Sequence, residues 1–197
     1  MSMIFRSLFV IAAVAAVAGV GTYALWTSQA SVTGNTFSTG TMNLYIDADQ
    51  AGSGFDWQPT VTGIALPDYL YPGYRGEQIL DLRNKGSVNG NVTFDINRTS
   101  NYNELSSNLK FDVYYNTHVA NASNVWGGRA IVGKTLSELI TLAPTVLGNL
   151  PPTGEGSFDA TTDTIGSVKV VWYVDTSAGN EIQGDQATFD VVFGLSQ

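Results

Sequence analysis

The sequence predicts an all-β protein: a jelly-roll-like, two-sheet β-sandwich with one short helix in a long insertion, preceded by an N-terminal signal peptide. Three observations predict it. Apolar residues recur at every second position in four separate segments, the period of a strand with one face in a core. Turn formers separate these segments: Pro72-Gly73, Lys85-Gly86-Ser87, Asn89-Gly90 and Gly179-Asn180. A helical period occurs once. With 197 residues, 44% of them hydrophobic and 11% aromatic, the chain is too apolar to stay disordered and long enough for one domain with its own core.

At the N-terminus, Leu8–Leu25 is uncharged and follows Arg6, and Thr22-Tyr23-Ala24 ends the run on small residues. A basic residue, an apolar stretch and a small-residue site describe a secretory signal, and cleavage is expected after residue 24. The alternative is a retained anchor, for which a run of about 18 residues is the short limit. Removing residues 1–24 gives a secreted, extracellular protein. It has no Cys, so outside the cell its stability must come from packing or assembly rather than disulfides.

Residues 25–37 form the next unit. Trp26, Ala30 and Val32 share one strand parity, no Pro interrupts them, and Phe37 closes the segment before the domain at 38–197. In the domain, Val92, Phe94 and Ile96 form one alternating set, and Leu109, Phe111, Val113 and Tyr115 a second. Val168, Val170, Trp172 and Val174 form a third, and Phe189, Val191 and Phe193 a fourth. Thr41–Asp47, Thr60–Leu66 and Gln78–Arg83 are weaker strand candidates. From about 116 to 166 the strand rhythm breaks, which reads as an insertion. Within it, Thr135-Leu136-Ser137-Glu138 fits a capping box, Leu136, Leu139, Ile140 and Ala143 lie on one helical face, and Pro144 ends the helix.

Composition excludes several functions. The formal charge of −8 argues against nucleic acid, whose phosphates need clustered Lys and Arg. A single histidine, His118, and the lack of Cys leave no multi-His or thiolate metal site, and no cofactor is expected. Asp47 with Asp49, or Asp159 with Asp163, would supply calcium oxygens, but their spacing lacks the dense pattern of an EF-hand. Gly128-Arg-Ala-Ile-Val-Gly133-Lys134-Thr135 matches the phosphate-loop pattern by letter, yet no apolar strand precedes it and the alternating strands and helices of that fold are absent. No catalytic residue is assigned. Asn91, Asn97 and Asn121 head N-x-Ser/Thr sequons, so each is a candidate N-glycosylation site in a secreted protein. Tyr69, Tyr71, Tyr74, Trp57 and Trp126 would serve the alternative of a carbohydrate-binding or adhesive module.

Three blocks carry a resemblance. Gly21-Thr-Tyr-Ala24 is followed by Thr36-Phe37-Ser38-Thr39-Gly40-Thr41-Met42-Asn43-Leu44. Leu70-Tyr71-Pro72-Gly73 precedes Asn84-Lys85-Gly86-Ser87, and Gln183-Gly184-Asp185 leads into Ala187–Phe193. In order and spacing these blocks resemble the TasA/camelysin family of biofilm matrix fibre proteins and the related archaeal bundling pilins. The stretch Asn101–Gly166 has no counterpart. The resemblance implies a structural subunit of a pilus or matrix fibre whose partners are copies of itself. Each N-terminal segment would complete the sheet of the next copy, with Trp26, Ala30, Val32 and Phe37 as the donated residues. No small-molecule substrate is implied. Lateral bundling is compatible with the low charge. Without the resemblance, residues 25–37 describe an edge strand of their own domain or a frayed tail.

Overall fold

A computed structural model describes residues 41–48, 54–59, 70–98, 103–185, 187 and 189–197. All lie in the compact unit Gly40–Gln197. The signal segment, the donor segment with Trp26, Ala30, Val32 and Phe37, and the strand candidate at 60–66 fall outside the described residues.

Among the described residues, eight strands form two sheets. They are β1 (Leu44–Asp47), β2 (Arg75–Asn84), β3 (Gly90–Arg98), β4 (Leu109–Val119), β5 (Arg129–Thr135), β6 (Thr145–Leu150), β7 (Thr164–Val174) and β8 (Phe189–Ser196). The larger sheet has the order β1-β2-β7-β4-β5 and the smaller one β6-β3-β8. Every ladder between them is antiparallel. Only the β1–β2 and β4–β5 connections stay within a sheet; the other five cross the sandwich, the jelly-roll-like feature of the topology.

The alternating residues explain why the sheets stack. Val92, Phe94 and Ile96 of β3, Leu109, Phe111 and Val113 of β4, and Val168, Val170, Trp172 and Val174 of β7 make one buried cluster with Leu82 and Leu150. Edge-to-face contacts Phe94–Phe193 and Phe111–Phe189, with centroids 5.7 Å apart in each, tie β8 to β3 and β4. The Tyr115 ring fills the space between Gly148 and Gly166, where an added Cβ would lie 2.7 Å from it, and its hydroxyl donates to the Asn149 carbonyl. Burial pushes the Tyr115 phenol pKa well above its usual value.

Two features differ from the sequence reading. The stretch 116–166 holds strands as well as the helix: its ends belong to β4 and β7, and β5 and β6 inside it are edge strands of the two sheets. Both strands carry register shifts, which broke the two-residue period. The expected helix is α2 (Leu136–Thr141), with Thr135 as N-cap and the reciprocal Glu138 bonds of a capping box. A second short helix, α1 (Glu104–Asn108), is capped by Asn103.

The outer face of the larger sheet is also not simply wetted. Ile165, Ser167 and Val171 of β7 face away from the core, yet each is at most 1% exposed. Loops cover them. Lys169 lies over the rings of Tyr114 and Trp126, at 4.5 and 5.0 Å. Phe55, Trp57 and Phe158 form a second cover, with the Arg83 guanidinium 5.0 Å from the Phe158 centroid.

Candidate functional site: the open edge of the smaller sheet

A strand at the rim of a sheet shows unpaired backbone groups on one side, and proteins normally blunt such rims with short strands, charges, Pro or bulges. Among the described residues the rims are β1, β5, β6 and β8. β1 has four residues, and its Ile46 exchanges two backbone hydrogen bonds with Gln58, at 2.8 and 2.9 Å. β5 carries Arg129 and Lys134, is offset against β4 at two places, and kinks at Gly133 with φ +59°. β6 is offset once against β3.

Among the described residues, β8 has no Lys, Arg or Pro, no offset and no short length to guard it. It is eight residues long, pairs with β3 without a register shift, and holds one charge, Asp190. Its core-facing row is apolar: Leu195 opposes Val92, Phe193 opposes Phe94, and Val191 opposes Ile96. The β3 members of these pairs are at most 2% exposed. Phe189, Val191, Phe193 and Leu195 are only half-buried, although they pack on the same core. The difference follows the sheet order: among the described residues β3 has a neighbour on each side and β8 on one. Five strands therefore face three, and Leu44 and Ile46 on the core side of β1 are half-buried as well.

The chain joins the domain beside this rim. The Thr41 carbonyl accepts from the Ser87 N–H at 2.8 Å, and Lys85 N–H donates to the Asn43 carbonyl. Asn84, fully buried, is the hub of this join. Its Oδ1 accepts from Gly86 N–H, and its Nδ2 donates to the carbonyls of Val88 and Leu150. A Cβ on Gly86 would lie 2.1 Å from the Thr41 carbonyl oxygen, so only glycine lets the two segments touch. Met42 Sδ and the Leu195 side chain both approach Gly90, which places the incoming chain at the C-terminal end of β8. The Asn84-Lys85-Gly86-Ser87 block thus has a local physical role: it clamps residues 41–43 to the β2–β3 turn.

The other candidates are distributed as follows. The phosphate-loop match is the edge strand β5. Gly133 N–H donates to the Asp112 carboxylate at 2.7 Å, and Lys134 pairs with Glu138 at 3.1 Å, so an acid occupies the place a phosphate would need. His118 lies on β4 with Nδ1 2.8 Å from the Val119 carbonyl and Nε2 2.8 Å from Ser167 Oγ. The Ser167 hydroxyl donates to Asp81, and the carboxylate is on the serine rather than on the imidazole. A nucleophilic triad requires the acid on the imidazole and an accessible hydroxyl, whereas Ser167 is 1% exposed.

Asp49 lies outside the described residues, and Asp47 has Asp81 as its cross-strand partner. Asp159 accepts from the backbone and hydroxyl of Thr161, and Asp163 accepts from Asp159 N–H; both serve their own turn. The aromatic platform is dispersed. Tyr71 packs on Tyr74, Trp57 on Phe55 and Trp126 on Tyr114, while Tyr69 is outside the described residues. Asn91 and Asn97 alternate with the buried residues of β3, and Asn121 is exposed in the turn after β4, so all three sequon asparagines reach solvent. The chain matches no protein-family model and no curated protein.

Proposed function

We propose that this protein is a structural subunit of an extracellular filament, in which residues 25–37 of one copy add a strand to β8 of the next. The observation that carries the reading is the unguarded β8 rim with its half-buried apolar row. An added strand would pair the β8 backbone groups that no described strand meets and set alternate side chains against Phe189, Val191, Phe193 and Leu195. The dimensions agree. Trp26 to Val32 spans about 23 Å as a strand and β8 about 26 Å, at roughly 3.3 Å per residue. Trp26, Ala30 and Val32 share one strand parity, with Ser28 among them, and would face the row. A head-to-tail contact of this kind does not close on itself, so it propagates as a fibre. The resemblance to matrix fibre proteins and bundling pilins points the same way, and with it come secretion, signal cleavage and the absence of catalysis from the proposal.

Electron microscopy of the secreted protein tests the reading. The mature chain forms long filaments, and a chain lacking residues 25–37 stays dispersed. Thr33→Pro, which removes one ladder donor and leaves the domain untouched, shortens or abolishes the filaments. Filaments of undiminished length from the truncated chain would overturn the proposal.

A further inference from the structure

Strand parity decides which face of a donated segment turns inward, but it leaves the register open. A slip of two residues along β8 keeps every side chain on its face. Trp26, Ser28, Ala30 and Val32 make up the inward set of the donated segment, and Ser28 is its one hydroxyl. A hydroxyl taken out of water without a partner is costly, so the place where Ser28 lands separates one register from the next.

The core face of the larger sheet is the floor beside the β8 rim. β6 packs across from β4 and β5, and β8 is two strands over from β6, on the side of β2 and β1. Phe189 holds one end of β8 on Phe111 of β4, and Leu195 brings the other end beside Met42 at the entry to β1. From Phe111 the cross-strand row continues through Trp172 of β7 to Gly76 of β2, towards the rim side of the sandwich. Gly76 is half-buried although it is on the core face, as the shorter sheet leaves this part of β2 partly uncovered.

Gly76 shows where the Trp172 indole goes. A Cβ there would lie 2.6 Å from both Cε2 and Nε1, so the indole edge that carries the N–H crosses onto β2. Trp172 is 4% exposed, and its Nε1 is buried without a hydrogen-bond partner. An indole nitrogen can only donate, and a folded protein rarely leaves such a donor unmet away from water. This donor therefore points to an acceptor supplied from outside the single copy. Gln78, half-buried and two residues further along the same face of β2, is the polar alternative on this floor.

We infer that Ser28 of an incoming copy accepts the Trp172 indole N–H, and that this hydrogen bond sets the register of the donated strand. The inference rests on the filament reading and names the contact that fixes it. Pairing relieves two buried polar groups at once: the indole gains an acceptor and the hydroxyl oxygen gains a donor. A two-residue slip in either direction brings Trp26 or Ala30 to the N–H, and neither side chain has an acceptor. The correct register is thus selected by what its neighbours leave unpaired, while the apolar row supplies attraction in all of them.

The test measures the critical concentration of the full mature chain for filaments, by sedimentation. Ser28→Ala, which lies outside the domain and leaves its core alone, raises it about tenfold, and Ser28→Thr, which keeps the hydroxyl, does not. Trp172→Phe, which keeps a ring but loses the N–H, also raises it. The double variant Ser28→Ala/Trp172→Phe is no worse than Trp172→Phe alone, because both changes delete the same bond. Ser28→Ala combined with Gln78→Leu gives losses that add. A second readout is independent of stability: in filaments with isotope-labelled tryptophan, solid-state NMR finds the Trp172 indole proton hydrogen-bonded in the wild type and not in Ser28→Ala. Filaments whose critical concentration is untouched by Ser28→Ala, losses that add for Ser28 and Trp172, or coupling of Ser28 to Gln78 instead overturn the inference and leave the filament reading standing. A wild-type chain that forms no filaments overturns both.

Discussion

Asn84 shows how much one buried polar side chain can organise. Its amide nitrogen and oxygen hold the β2–β3 turn and the end of β6, and its carbonyl accepts from Thr153 N–H. Asn84→Ala strands buried donors and acceptors, and a loss of about 2–3 kcal/mol is expected from denaturant unfolding. Asn84→Asp should restore little, because it keeps the acceptor but loses both donors. Gly86→Ala acts on the same join by collision with Thr41. Its expected result is release of residues 41–43 from the turn, read as faster amide exchange at Ser87 and Lys85, while the two-sheet core survives. Gly166→Ala intrudes on the Tyr115 ring and is expected to cost about 1–3 kcal/mol, the usual range for overpacking a filled site. The residue types at 84–87 were visible in the sequence; that Asn84 is fully buried was not, because its partners are 2 to 69 positions away.

At the scale of elements, the four strands with unbroken alternation were legible because their period needs no knowledge of neighbours. α2 was legible through its capping box, which is a local arrangement. β5 and β6 were not. Both are interrupted by register shifts, and β5 contains a letter-perfect phosphate-loop pattern that the ladder with β4 turns into an edge strand. β8 was readable as a strand but not as a rim, since pairing partners are a tertiary property. Its lack of Lys, Arg and Pro was the signal at hand. The prediction that belongs here is a guard added to that rim. Val192 is exposed on the outer side of β8, so Val192→Lys leaves the core alone. It is expected to reduce filament yield less than Thr33→Pro does, because it adds charge beside the ladder without removing a hydrogen bond. Sedimentation of assembled against free protein measures the difference.

For the whole molecule, the acidic balance has a consequence for pH. The Lys110 ammonium, with help from the Ser177 N–H, holds the Asp175 carboxyl well below the usual carboxylate range. Bonds from Thr135 and Lys134 lower Glu138, and bonds from Thr161 lower Asp159. A carboxylate lowered by folding stabilises the fold above its unfolded pKa, near 4, and that contribution is lost as pH falls through the lower folded value. Unfolding midpoints followed from neutral pH to about pH 2 should therefore fall steeply below pH 4, and Asp175→Asn should make that fall shallower. A midpoint with the same acid slope in wild type and variant would exclude the Lys110–Asp175 pair as a source. By itself the sequence determined the all-β class, the alternating core rows and the capped helix, because each follows from contacts within one element. Only the tertiary structure decided that among the described residues three strands face five and β8 has one strand neighbour, and that Asp47, Asp81, His118 and Ser167 share one cavity. Those outcomes depend on which strands meet across the sandwich, and pairing between distant segments leaves no periodic mark in the chain.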